Sequence, residues 1–204
     1  MIKKEKAKII QKILDKLYPN PKIFLDHIDI FTLLIAVVLS AQATDKKVNE
    51  ITKILFKKAK TPKDFVKIEL KELEEIIKPI GLYKTKAKNI KKLSEILIEK
   101  FTSKVPNTFE ELEFLPGVGH KTASVVMIQG FKKAAFPVDT HIHRLSKRWK
   151  LSNGKNVKET EKDLKKIFPK KSWGKLHLQM ILFGREYCKA FPHKKENCPI
   201  CKIL

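Results

Sequence analysis

Apolar residues recur at helical spacing along almost the whole chain, and no stretch alternates in the manner of a half-buried strand. The pattern predicts a first helix over Lys3 to Leu17, stopped at Tyr18-Pro19-Asn20-Pro21. A second runs from Ile30 to Ala41, capped by Asp29, and its apolar run from Ile30 to Leu39 reads as a buried helix, too short to span a bilayer. Thr44 or Asp45 starts a third that reaches Lys58, and Thr61-Pro62 starts a fourth with proline at its first position. Further helices are predicted over Leu70 to Lys78, Thr85 to Phe101, Asn107 or Thr108 to Phe114, and Lys121 to Gly130. Three more follow, over Thr140 to Trp149, Val157 to Phe168 and Ser172 to Tyr187, before an irregular tail containing Pro192 and Pro199. Loops are short and no repeat is visible, so the chain reads as all-α and compact.

Between two of these helices lies Leu115-Pro116-Gly117-Val118-Gly119, followed directly by His120-Lys121-Thr122-Ala123. Glycines two apart allow positive φ and close approach, and with the first turn of the next helix they aim backbone N–H groups in one direction. That is an anion site, for which a DNA phosphate is the natural occupant in a basic protein. Lys121 falls at the positive end of a helix dipole, which together with partial burial disfavours the ammonium and yields a usable nucleophile. Asp139, in Pro137-Val138-Asp139-Thr140-His141, reads first as a helix N-cap and second as a carboxylate able to stabilise a cationic sugar or move protons. His141 and His143 are two apart and share no helix face, so they read as packing or hydrogen-bonding residues.

Charge sharpens this reading. The formal net charge is +22, which favours a polyanionic partner. All but three of the 44 basic residues are lysines, the exceptions being Arg144, Arg148 and Arg185, so part of the excess reflects a preference for lysine itself. No apolar leader follows Met1, and the three cysteines, all beyond residue 187, make no disulfide framework. The expectation is a cytoplasmic, nucleoid-associated monomer with no membrane partner.

The motifs Leu39-Ser40-Ala41-Gln42-Ala43-Thr44-Asp45, Ile80-Gly81-Leu82-Tyr83-Lys84, Leu115 to Ala123 and Val138-Asp139-Thr140-His141-Ile142 stand in a familiar order and spacing. The chain resembles, nearly end to end, the endonuclease III family of helix-hairpin-helix DNA glycosylases. The resemblance implies an all-α, two-domain fold with a DNA cleft between the domains. Residues 28–133 would form a six-helix domain, with 1–27 and 134–204 forming a discontinuous second one. It implies a double-stranded DNA partner carrying a damaged base or abasic site. The lysine matching Lys121 attacks C1′ and expels the base, and the resulting imine permits β-elimination. The aspartate matching Asp139 assists. Leu115, Pro116, Gly117, Val118 and Gly119 would hold the DNA backbone. Gln42 and Leu82 match the family's wedge residues and would fill the gap left by an extruded nucleotide. By residue type alone, Gln42 reads as a helix-end polar group and Leu82 as a core leucine.

The resemblance also implies a [4Fe-4S] cluster on Cys-x6-Cys-x2-Cys-x5-Cys. This chain has Cys188-x9-Cys198-x2-Cys201 and no fourth cysteine, so the metal set Cys188, Cys198 and Cys201 reads as incomplete. The expectation is therefore no intact cluster and no cofactor required for the chemistry. The alternatives are a cluster with His193 as fourth ligand, or zinc on Cys188, His193, Cys198 and Cys201. Functionally, the favoured expectation is a base-excision glycosylase and abasic-site lyase acting on oxidised or ring-damaged pyrimidines. Its rivals are a glycosylase of the same fold for oxidised guanine or mismatched thymine, and a non-catalytic hairpin module.

Overall fold

The computed structural model describes residues 2–204. Among them are eleven α-helices, short 3-10 and π segments, and no strand. They gather into two compact units.

The unit from Ile23 to Lys133 holds α2 (Ile30–Ser40), α3 (Asp45–Lys58), α4 (Pro62–Lys67), α5 (Leu70–Ile77), α6 (Tyr83–Phe101), α7 (Phe109–Phe114) and α8 (His120–Val125). Its centre is α2, buried at every position from Phe31 to Leu39. A helix apolar on all sides must be enclosed, and α3, α6 and α8 pack around it. Its start is fixed by Asp29, whose Oδ1 accepts from the Thr32 backbone N–H at 2.8 Å. Thr44, Thr61 and Thr108 cap α3, α4 and α7 in the same manner. The helix after the hairpin departs from simple periodicity: its α-turns end at Val125, and Val126–Gly130 is wound as a π-helix. Gly130 lies against α2, where an added Cβ would come within 3.3 Å of Ile30 and Leu33. The close approach explains why the segment ends on glycine.

The second unit combines the N-terminal segment through Lys22 with Ala134–Leu204. It contains α1 (Lys3–Leu17), α9 (Thr140–Arg148), α10 (Val157–Ile167) and α11 (Trp173–Glu186). Its core includes Trp149 edge-on to Phe183, with ring centroids 5.6 Å apart, and Phe136 between Phe168 and Trp173. Although far apart in sequence, α1 and α11 are joined by polar contacts. Asp15 pairs with Lys175 at 2.5 Å, and Gln179 Nε2 donates to Asp15 Oδ1 and to the Tyr18 carbonyl. The Tyr18 hydroxyl donates to Glu186.

Candidate functional site

In the first unit, three turns bear the candidate residues. The hairpin is pinned from below by Leu115 and Val118, both buried, with the Val118 N–H donating to the Leu115 carbonyl at 3.1 Å. Gly117 carries φ +79°, and a Cβ there would sit 3.0 Å from the Asn89 side-chain nitrogen. Gly119 differs from the expectation of positive φ. It is the extended N-cap of α8, and a Cβ built on it meets nothing within 4 Å. Its usefulness is therefore an open approach to the helix N-terminus rather than backbone freedom. Pro116 lies half-buried beside these exposed glycines.

His120 braces the hairpin, a role the sequence reading missed. Its Nδ1–H donates to Glu113 Oε1 at 2.7 Å, and its ring stacks on Phe109 with centroids 5.4 Å apart. Lys121 follows as the second residue of α8. It is exposed, which corrects the expected partial burial. Its place at the second residue of α8 sets it at the positive end of that helix.

Gln42 and Leu82 both lie in left-handed backbone, at φ 57° and φ 60°. Non-glycine residues rarely adopt this region, at a cost of about 1–3 kcal/mol each. Leu82 is 60% exposed, so it is no core leucine; it immediately precedes α6 and displaces the helix start to Tyr83. Gln42 is exposed just past the end of α2. Lys86, in the first turns of α6, is buried, and its Nζ donates to the carbonyls of Leu39 at 2.9 Å and Ala41 at 2.6 Å.

In the second unit, Asp139 caps α9, its Oδ1 accepting from the Ile142 N–H at 2.8 Å. The segment before it is held by buried His177, whose Nδ1–H donates to the Pro137 carbonyl at 3.1 Å. His143 contacts Thr160 Oγ1 while His141 contacts Arg144, so the two histidines serve different neighbours. From the middle of α9, Arg144 Nη2 donates to the carbonyls of Gly184 and Cys188. Arg148 Nη1 donates to Cys188 Sγ at 3.2 Å and to the Lys189 carbonyl. Two of the chain's three arginines are thus spent on the cysteine loop. Their rarity was the one sequence signal that could have marked them.

The tail corrects the reading of an incomplete, doubtful metal set. The ligand atoms of Cys188, His193, Cys198 and Cys201 all lie within 4.8 Å of one another. Cys188 Sγ is 3.5 Å from His193 Nε2 and 3.7 Å from Cys201 Sγ. The lengthened loop brings the imidazole where a fourth thiol was missing, and all three cysteines are buried. Burial pushes the Cys188 and Cys201 thiols above their ordinary values, a cost that a bound cation reverses. Three soft sulfurs and an imidazole are the donor chemistry of iron–sulfur and zinc centres. The expectation of no intact cluster and no required cofactor is overturned by this convergence, and by likeness to a family that carries a [4Fe-4S] cluster.

A family model described as HhH-GPD superfamily base excision DNA repair protein matches residues 35–170. The chain belongs to this superfamily, in its endonuclease III family. It is 45% identical over 200 residues to endonuclease III of Bacillus subtilis (strain 168), covering 96% of this chain and 91% of the relative. Endonuclease III of Buchnera aphidicola (subspecies Acyrthosiphon pisum) is 46% identical, covering 100% of this chain and 95% of the relative. Among solved structures, a non-covalent endonuclease III–DNA complex superposes with TM-score 0.95 at 45% identity, covering 100% of this chain and 96% of the other. A trapped endonuclease III–DNA covalent intermediate gives TM-score 0.93 at 46% identity, covering 98% and 94%. The expected all-helical fold of this family is thereby met.

Proposed function

We infer that this protein is a base-excision DNA glycosylase and abasic-site lyase, acting on oxidised or ring-damaged pyrimidines in double-stranded DNA as a monomer. The observation that carries the reading is a lysine at the second position of the helix opened by the glycine hairpin, in a chain similar end to end to endonuclease III.

The hairpin N–H groups and the start of α8 bind a backbone phosphate, which sets the register of the DNA without reading sequence. The damaged nucleotide leaves the stack, and Gln42 and Leu82 occupy the vacated space. Lys121 Nζ, neutral at the moment of attack, forms a bond to C1′ as the C1′–N bond breaks. The base departs with the electron pair and takes up a proton. In the role the family resemblance implies, Asp139 assists the activation of the lysine and balances the positive charge that develops on the sugar, while the proton shed by the lysine is lost to water. Opening of the sugar ring leaves a lysine imine. Loss of a C2′ proton then breaks the C3′–O bond, releasing the phosphate and nicking the strand. Cys188, His193, Cys198 and Cys201 would hold the family's metal group, which when bound cross-links the tail through its ligands.

The test is borohydride trapping on a duplex carrying one thymine glycol, with Lys121→Ala beside the wild type. A covalent complex in the wild type alone is expected. Trapping by Lys121→Ala at the wild-type level would refute the assignment of the nucleophile. Wild-type trapping on an abasic site but never on thymine glycol would refute the substrate class.

A further inference from the structure

The buried lysine of α6 connects two turns that are distant in sequence. Helix α2 ends without a basic residue in its last turn, although the carbonyls there point away unpaired by the helix itself. The missing cation comes from α6. Lys86 is 5% exposed, and its ammonium donates to the carbonyls of Leu39 and Ala41, on either side of Ser40 and directly ahead of Gln42. A cation at a helix C-terminus is favourable there, which offsets the cost of burying it. The backbone N–H of the same residue donates to the Leu82 carbonyl at 2.9 Å, closing the first turn of α6 onto Leu82. One residue therefore grips both left-handed turns, by its side chain at Gln42 and by its main chain at Leu82.

We propose that Lys86 is a positioning residue that makes the Gln42 and Leu82 turns act as a single wedge during nucleotide extrusion. The proposal rests on the reading of those two residues as the wedge. Each turn stores backbone strain, and strained turns keep their conformation only when their surroundings over-determine it. The ammonium supplies that constraint at the α2 end. Without it the Gln42 turn can relax independently of Leu82, and the two side chains no longer enter the duplex together.

The experiment compares single-turnover excision from a thymine glycol duplex with cleavage of a single-stranded abasic oligonucleotide, in which no stack needs opening. Lys86→Met, which fills the same space without donors, is expected to lower the duplex-to-single-strand rate ratio roughly tenfold, the order of effect of a small misplacement. Gln42→Ala and Leu82→Ala are expected to be non-additive in the wild type and additive in the Lys86→Met background. A ratio within about twofold of the wild type, with non-additivity kept, would overturn the proposal alone. Unchanged ratios in Gln42→Ala and Leu82→Ala would overturn the wedge reading and this proposal with it. If the methionine variant does not fold, Lys86→Gln replaces it in the same comparison, since its amide keeps a donor but reaches less far.

Discussion

Asp139 is the observed cap of α9 and the proposed charge partner of the sugar, and a single substitution distinguishes the two roles. As a cap it needs only an oxygen acceptor for the Ile142 N–H, which asparagine supplies as well as aspartate does. As a partner of a cationic sugar it needs charge. Asp139→Asn is therefore expected to keep the thermal midpoint while lowering single-turnover excision by about 10²–10⁴-fold. Asp139→Ala should lose about 1 kcal/mol of stability as well, measurable in a denaturant titration. The cap was legible in the sequence because N-caps are local chemistry. The exposure of Leu82 was not, since a leucine among apolar neighbours reads as core unless the backbone sign is known. Lys86 was hidden for a similar reason: in a chain dominated by lysine, nothing in one lysine's sequence context reveals that it faces inward.

At the scale of elements, the two hairpin glycines are expected to respond differently to the same change. Gly117→Ala places a Cβ at φ +79° and against Asn89, and should cost about 1–2 kcal/mol of folding stability along with DNA affinity. Gly119→Ala meets no atom and has ordinary φ, so the thermal midpoint should hold while affinity for duplex DNA falls. The α1–α11 tie gives a pH dependence. Asp15 feels burial, which raises its pKa, but hydrogen bonds from Lys175 and Gln179 and the Lys175 charge bring it below the ordinary value. A depressed folded pKa contributes stability above the unfolded value of about 3.9, and that contribution disappears as pH falls through the folded one. Amide exchange in α1 should accelerate over that acid window, and Asp15→Asn should flatten the response. Helix positions were legible to within a residue or two because caps and prolines mark them. The π segment was not, because its winding depends on how closely Gly130 approaches α2.

For the molecule as a whole, the net charge of +22 predicts strong salt sensitivity. The logarithm of the DNA association constant should fall linearly with that of salt concentration, and replacing one phosphate-contacting lysine should reduce the slope by about one. The tail was the least legible region. The sequence offered His193 as a fourth donor only among alternatives, because spacing does not show whether the imidazole reaches the thiols; three-dimensional convergence brings the four donors together. Metal analysis of the purified protein should find a bound metal, lost together with thermal stability in Cys198→Ser. Among the described residues no helix is long and apolar enough to cross a membrane.

Val126–Gly130 is wound as a single π turn at the end of the hairpin helix. A π turn is an α-helix carrying a surplus residue, so everything after it is rotated relative to an unbroken helix. The chain leaves this turn through Lys133, whose Nζ donates to the Asn107 carbonyl and side chain ahead of α7. Deleting a single residue between Val126 and Gly130 would regularise the helix, yet it would turn Lys133 away from Asn107. The insertion thus behaves as a phase setting, fixing the direction in which the chain departs from the hairpin helix.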